Sequence, residues 1–353
     1  MFNLGKRFNR RSFFLAFFGL VLTYIFPWKV KSSTSALPPH HTSDGFRNTD
    51  PNFKQADGLD VFNWLISRGA RRSFSKETAE IPSTTFNNIL VENVNTNSVT
   101  WIGHSTTLVR CEKKLFLTDP VWSETAGPYN LLGAKRYTPS TISIEQLPDV
   151  DIILISHNHY DHLDLNSILS FAKNKKTHFF VPLGLKEWFA GYGIQNIHEM
   201  DWWQEETFGE LKVVCTPAQH FSGRSPFDRN KTLWASWSVI GKEKRFYFSG
   251  DSAYFPGFKQ IGEKYGPFQL SLIPIGAYLP RNIMGPVHVD PKEAVQAFLD
   301  INSQMMLPIH WGTFRMADEP IDQPPKDFLT AVEKRGLSWN TVQPFKIGET
   351  RIW

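Results

Sequence analysis

Three imidazoles and a carboxylate fall within the six residues His157 to His162 of the stretch Ser156-His157-Asn158-His159-Tyr160-Asp161-His162-Leu163-Asp164. Imidazole and carboxylate are the ligand types of zinc and related divalent ions, and a catalytic zinc keeps one coordination position open for water or substrate. His157 and His159 are two residues apart, so both rings can grip one ion if the chain bends there. Asp161 and His162 come after the bend and can point to a second ion beside the first. A polar loop of solvated histidines is the plain alternative, but so dense a set of ligand types is hard to explain without a metal.

The motif needs elements to hold it. Asp151-Ile152-Ile153-Leu154-Ile155 is a short apolar run rich in β-branched residues, which reads as a buried strand, and a helix is expected from about Leu165. Further strands are expected at Val99 to Ile102, Thr107 to Arg110, Leu115 to Leu117, Phe179 to Val181, Ala235 to Ile240, Leu270 to Pro274 and Glu349 to Trp353. Helices are expected near Asp60 to Ala70, Leu185 to Tyr192, Phe258 to Tyr265, Pro291 to Ile301 (with Pro at its first turn) and Lys326 to Arg335. Strand runs on both sides of interspersed helices fit two sheets packed face to face with helices outside.

The histidine motif resembles that of the metallo-β-lactamase superfamily, which implies an α/β fold of the αββα sandwich type with metals at one edge. The resemblance asks for further ligands. The chain offers His220 in Thr216-Pro217-Ala218-Gln219-His220, Asp251 in Phe248-Ser249-Gly250-Asp251-Ser252, and His310 in Leu307-Pro308-Ile309-His310-Trp311-Gly312. Each comes after a strand-like run, Leu211 to Cys215, Arg245 to Phe248 and Met305 to Ile309, so rigid strand ends would hold the ligands while loops shape the pocket.

Within the superfamily the chain is similar to the N-acylphosphatidylethanolamine-hydrolysing phospholipase D family from about residue 50 to the end. The matching stretches are Trp101-Ile102-Gly103-His104-Ser105, Phe116-Leu117-Thr118-Asp119-Pro120, Ile155 to Asp164, Val181-Pro182-Leu183-Gly184, Asp201-Trp202-Trp203 and Thr216 to His220. They continue with Trp234 to Ser238, Ile273 to Tyr278, His288-Val289-Asp290-Pro291 and Ile309 to Phe314. The resemblance implies that His157, His159 and His220 hold one zinc and Asp161, His162 and His310 a second, with Asp251 bridging. Iron or manganese in place of zinc stays open. The chemistry agrees with that set, because two divalent ions about 3.5–4 Å apart can activate one water and neutralise a phosphodiester. The implied reaction releases N-acylethanolamine and phosphatidic acid, at a membrane surface. No cysteine stands at a ligand position, unlike many β-lactam hydrolases of the superfamily.

His288 is a candidate for positioning substrate or protonating the leaving alkoxide; a loop histidine bonded to backbone is the alternative. Tyr160 and Arg224 are candidate substrate contacts, Arg224 through a phosphate oxygen, against packing and a surface salt bridge. His104 and Asp119 read as groups that orient ligands. His40 and His41 read as solvated rather than as ligands, His178 and His198 as structural or solvated, and one at least of Trp202 and Trp203 as core. A hydrolase of another ester, a lactone or a cyclic phosphate would use the same ligands, and so would a non-catalytic binding protein that kept the site.

Composition bounds the rest. The 353 residues, with 29 Phe and 12 Trp, allow a large core. The net charge of +4 comes from residues 1–36, which carry Lys6, Arg7, Arg10, Arg11, Lys29 and Lys31 and no acid. The remainder is slightly acidic, which argues against a nucleic-acid partner. That leader has a basic start, an apolar run from Phe13 to Phe26 and the small residues Thr34-Ser35-Ala36, the layout of an export signal. Asn9-Arg10-Arg11-Ser12-Phe13-Phe14 resembles a twin-arginine signal. A cleaved signal or an uncleaved anchor would both place the body outside the cytoplasm, in a periplasm or on its membrane. Residues 37–95 are expected to form an arm packed on the main domain, residues 96–353. Cys111 and Cys215 lack metal-ligand spacing; they could pair in an oxidising compartment, but two buried free thiols are the simpler reading. The oligomeric state stays open, a homodimer included.

Overall fold

The computed structural model describes residues 37–72, 79–130, 132–342 and 344–353; the leader lies outside the described residues. Among the described residues no helix is long and apolar enough to cross a membrane.

Among the described residues thirteen strands build two mixed sheets. In chain order they are β1 Ser98–Gly103, β2 Thr106–Cys111, β3 Lys114–Thr118, β4 Ile152–Leu154, β5 His178–Pro182, β6 Ile197–Met200 and β7 Glu205–Phe208. They continue as β8 Leu211–Thr216, β9 Ser236–Ile240, β10 Arg245–Phe248, β11 Leu270–Pro274, β12 Met306–Ile309 and β13 Thr350–Ile352. The first sheet runs β6-β5-β4-β3-β2-β1-β13 and the second β7-β8-β9-β10-β11-β12.

Side-chain alternation explains the layering. Successive residues of a strand face opposite ways. Phe116, Ile152, Leu154 and Phe180 therefore join the central cluster with Val213, Cys215, Trp237, Val239, Phe246 and Phe248 of the second sheet. Leu117, Ile153 and Val181 face outward, where Ile168, Phe171 and Phe189 cover them from helices Leu165–Phe171 and Lys186–Gly191. Both faces of the strands are apolar because both are buried. The second sheet is covered by helices Gly257–Tyr265, Pro291–Asp300 and Gln323–Lys334 through Phe258, Ile261, Val295, Phe298, Phe328 and Val332. Each fully buried side chain of this size contributes roughly 1.5–3 kcal/mol. Rings meet across the sheets, Phe116 on Phe246 at 5.1 Å and Phe180 on Trp237 at 6.3 Å.

Strand direction gathers the chemistry. β3, β4 and β5 are mutually parallel, and β1 runs the same way through two antiparallel steps. In the second sheet β10, β11 and β12 are parallel, and β8 matches them through β9. The residues after the carboxyl ends of β1, β3, β4, β8, β10 and β12 can therefore meet at one edge of the sandwich.

The arm departs from expectation at its start. His40 is buried and His41 only partly exposed. Their Nε2 atoms pair with Asp201 Oδ1 at 2.6 Å and Oδ2 at 2.8 Å, and the His40 ring stacks on Trp202 at 4.4 Å. Helix Gly58–Arg72 comes next, with Asp57 Oδ1 accepting from the Leu59 N–H at 2.8 Å. Val61 packs with Ala277, Ile283 and Met284. β6, β7 and the short helices Asn88–Glu92 and Arg281–Met284 were not anticipated from the sequence. Cys111 and Cys215 are buried free thiols, and burial pushes both thiols up.

Candidate metal centre

Seven residues singled out from the sequence as ligands converge at the shared edge. His157, His159 and His220 form one group, and Asp161, His162 and His310 another together with His104; within each group the candidate ligand atoms lie within 4.8 Å of one another. Asp251 stands between the groups. Its Oδ2 lies 3.1 Å from His162 Nε2, 3.1 Å from His310 Nε2, 3.8 Å from His220 Nε2 and 3.9 Å from His288 Nδ1.

The outer hydrogen bonds decide which ring nitrogens face inward. Ser156 Oγ donates to Asp119 Oδ2 at 2.5 Å and so accepts from His157 Nδ1–H at 2.8 Å. His162 Nδ1–H donates to the same Asp119 oxygen at 2.6 Å, and His220 Nδ1–H to the Val287 carbonyl at 2.8 Å. Each of these imidazoles, when neutral, turns a bare Nε2 to the centre. His157 Nε2 lies 2.7 Å and His220 Nε2 3.2 Å from His159 Nδ1. One proton on His159 can serve one of those contacts, whereas a cation satisfies all three lone pairs. Asp251 Oδ1, His162 Nε2 and His310 Nε2 are buried with no hydrogen-bond partner among the described residues. This donor set, imidazole nitrogen and carboxylate oxygen only, fits divalent cations.

Electrostatics divide the rings into two sets. Burial pushes His157, His159 and His288 well below the ordinary imidazole value, His220 to about 4 and His104 to about 3, so these rings are neutral. Burial also opposes charge on His162 and His310. There the carboxylates outweigh it, chiefly Asp251 and Asp161, lifting His162 well up and His310 to about 9. Burial disfavours charge on Asp161 and Asp251 as well, but the facing imidazoles hold both carboxyls well below the usual range.

Backbone geometry at the strand ends is unusual. His104, Asp119 and His310 adopt φ of 51°, 31° and 62°, values that few residues other than glycine reach. The His310 N–H donates to the His104 carbonyl at 2.9 Å, joining the two sheets across the site. His104 Nε2 pairs with Asp161 Oδ2 at 3.0 Å, and Asp119, fully buried, accepts from both Ser156 and His162. Both residues touch candidate ligands.

His288 stands beside the centre, 7% exposed, its Nδ1 without a hydrogen-bond partner among the described residues. Its main chain is fixed: His288 N–H donates to the Met284 carbonyl at 2.8 Å, Arg281 Nη1 to the His288 carbonyl at 2.9 Å, and Val289 N–H to the Ser252 carbonyl at 2.8 Å. The Asp290–Glu293 capping box starts the next helix two residues on. Arg224 grips the metal motif from outside. Its Nη1 donates to the carbonyls of Asn158 at 2.9 Å and Leu163 at 2.7 Å, and its guanidinium lies 3.8 Å from the Tyr160 ring centre. Tyr160 Oη in turn donates to the Arg224 carbonyl at 3.1 Å. Sequence reading missed this clasp, and also Ser156, whose place directly before the first histidine was the available signal.

The comparisons with known proteins agree with the geometry. A family model described as a beta-lactamase superfamily domain matches residues 114–311. An uncharacterized protein of Mycobacterium tuberculosis is 40% identical over 310 residues, 85% of this chain and 82% of that protein. The N-acyl-phosphatidylethanolamine-hydrolyzing phospholipase D 1 of Caenorhabditis elegans is 37% identical over 284 residues, 76% of this chain and 80% of the relative. A metallo hydrolase from Ignicoccus hospitalis superposes with a TM-score of 0.57 at 24% identity, covering 73% of this chain and 98% of its own. The chain is a metal-dependent hydrolase of the metallo-β-lactamase superfamily, in the family of the N-acyl-phosphatidylethanolamine-hydrolysing phospholipases D.

Proposed function

We propose that this protein is a zinc-dependent phosphodiesterase of phospholipase D type, which releases N-acylethanolamine and phosphatidic acid from N-acylphosphatidylethanolamine at a membrane surface. The observation that carries the proposal is the pair of ligand groups joined at Asp251 Oδ2, in a chain 37% identical to a relative that bears this activity in its name. His157, His159 and His220 would hold one ion and Asp161, His162 and His310 the other, with Asp251 shared. Divalent ions in such a pair activate water and offset the charge of a phosphodiester.

The protein's own groups supply the rest. Asp119 and Ser156 hold the tautomers of His162 and His157. His288 Nδ1 is close to Asp251 and has no hydrogen-bond partner among the described residues, so it can hydrogen-bond a phosphate oxygen or, once protonated, pass that proton to the leaving alkoxide. Tyr160 would border the phosphate region. Arg224, through the motif carbonyls it grips, would set that wall and leave its remaining N–H groups for substrate. The leader would carry the body across a membrane.

The test is hydrolysis of N-acylphosphatidylethanolamine in mixed micelles by the full chain, wild type against Asp251→Asn, with metal content measured in both. Phosphatidic acid from wild type, with its release lost in the variant, supports the proposal. A wild type that binds metal yet leaves this lipid intact while cleaving a lactone or a cyclic phosphate overturns the substrate and leaves the general hydrolase.

A further inference from the structure

The arm reaches the centre through one side chain. Asn48 Nδ2 donates to the His220 carbonyl at 2.8 Å. Asn48 Oδ1 accepts from the His220 N–H at 3.2 Å and from Trp234 Nε1 at 3.2 Å. A planar amide presents a donor and an acceptor together, so one side chain closes both backbone polar groups of His220. That residue lies past the end of β8, outside any strand ladder. Its ring is fixed separately by the Val287 carbonyl.

Asn48 is itself held from both sides. Upstream, His40 and His41 clasp Asp201, the Arg47 N–H donates to the His40 carbonyl at 2.9 Å and the Phe46 N–H to the Asn230 carbonyl at 2.8 Å. Downstream, Trp64 Nε1 of helix Gly58–Arg72 donates to Asp318 Oδ2 at 3.0 Å, and Val61 packs on Ala277, Ile283 and Met284. A strap fastened at both ends thus delivers one amide to the backbone of a candidate ligand.

We propose that Asn48 is a positioning residue of the metal centre: by pairing with both polar groups of the His220 main chain it sets the direction of the His220 imidazole, and through it the metal affinity of the group formed with His157 and His159. This rests on the ligand role of His220 and goes beyond it in making the amino-terminal arm part of the site. The amide suits the task better than a carboxylate, because Asp at this position would turn an acceptor toward the His220 carbonyl.

The experiment titrates zinc into metal-free full-length protein against a chromophoric chelator, for wild type, Asn48→Ala, Asn48→Asp and the core control Val332→Ala, and records the melting temperature of each metal-free protein. Both Asn48 variants are expected to hold zinc about 10- to 100-fold less tightly, while Val332→Ala melts earlier with its zinc affinity unchanged. The proposal is overturned if the Asn48 variants melt earlier but keep wild-type affinity, as the control does. Should Asn48→Ala fail to fold, the isosteric Asn48→Asp carries the decision. Zinc binding is read without substrate, so a failure of lipid hydrolysis leaves this result intact. A wild type that binds no zinc removes the ligand role of His220 and this proposal with it.

Discussion

Asp119 shows how much one side chain outside the candidate ligand set can determine. Its two oxygens take the Ser156 N–H at 2.7 Å, the Ser156 hydroxyl at 2.5 Å and His162 Nδ1 at 2.6 Å. A carboxylate, with acceptors only, meets all three donors, whereas an amide must turn its NH2 toward one of them. Burial alone pushes the Asp119 carboxyl up, so its charge depends on these donors. Asp119→Asn is therefore expected to keep the fold, lose roughly 1–3 kcal/mol of stability through the donor left unpaired, and weaken metal binding about 10- to 100-fold. Chemical denaturation and metal content after dialysis measure the two effects separately. Unchanged metal content would reduce Asp119 to a packing role.

At the scale of the element, the site is made by the turns that end the strands. Gly250 precedes Asp251 with φ +55°, and a Cβ built on it would meet Ser156 Cβ at 2.4 Å and the Ala235 carbonyl at 3.0 Å. The backbone conformation costs an alanine roughly 1–2 kcal/mol. The contact adds to this by driving Asp251 and Ser156 apart, and Ser156 is the residue that ties His157 to Asp119. Gly250→Ala is expected to lower both the melting temperature and the metal content, whereas Gly336→Ala, also at positive φ (+64°) but in open space, is expected to lower only the first. Equal metal content in both variants would refute the steric argument. The ends of β4, β8, β10 and β12 were legible in the sequence because β-branched and apolar runs stop abruptly at His157, at Pro217, at Ser249-Gly250-Asp251 and at His310. β7 was not, because Glu205-Glu206-Thr207-Phe208 at the sheet's edge is half exposed and lacks an apolar face. Nor was the Arg224 clasp, which contacts carbonyls more than 60 residues away and leaves no local periodicity.

The whole molecule is closed by its site. His157, His159, Asp161 and His162 come after a strand of the first sheet, and His220, Asp251 and His310 after strands of the second. The arm adds Asn48 and packs on Ala277, Ile283 and Met284. In the sequence these partners are invisible, since Asn48 and His220 are 172 residues apart and the arm shows only one helical stretch, while His40 and His41 look like an exposed polar pair. Because the candidate ligands come from both sheets, an ion that binds them binds only the folded chain, and mass action then adds about 4 kcal/mol at a free metal level of 1,000 times the dissociation constant. A strong chelator is expected to lower the melting temperature by several degrees, reversibly on return of zinc and in proportion to the logarithm of its concentration. Asp251→Asn, with the shared carboxylate gone, should show a smaller shift, because its oxygen is the contact common to both groups. Scanning calorimetry with and without metal measures this directly. A melting temperature indifferent to the chelator in wild type would mean that the convergence of imidazoles at this edge is held by the protein alone, and that no bound ion links the two sheets.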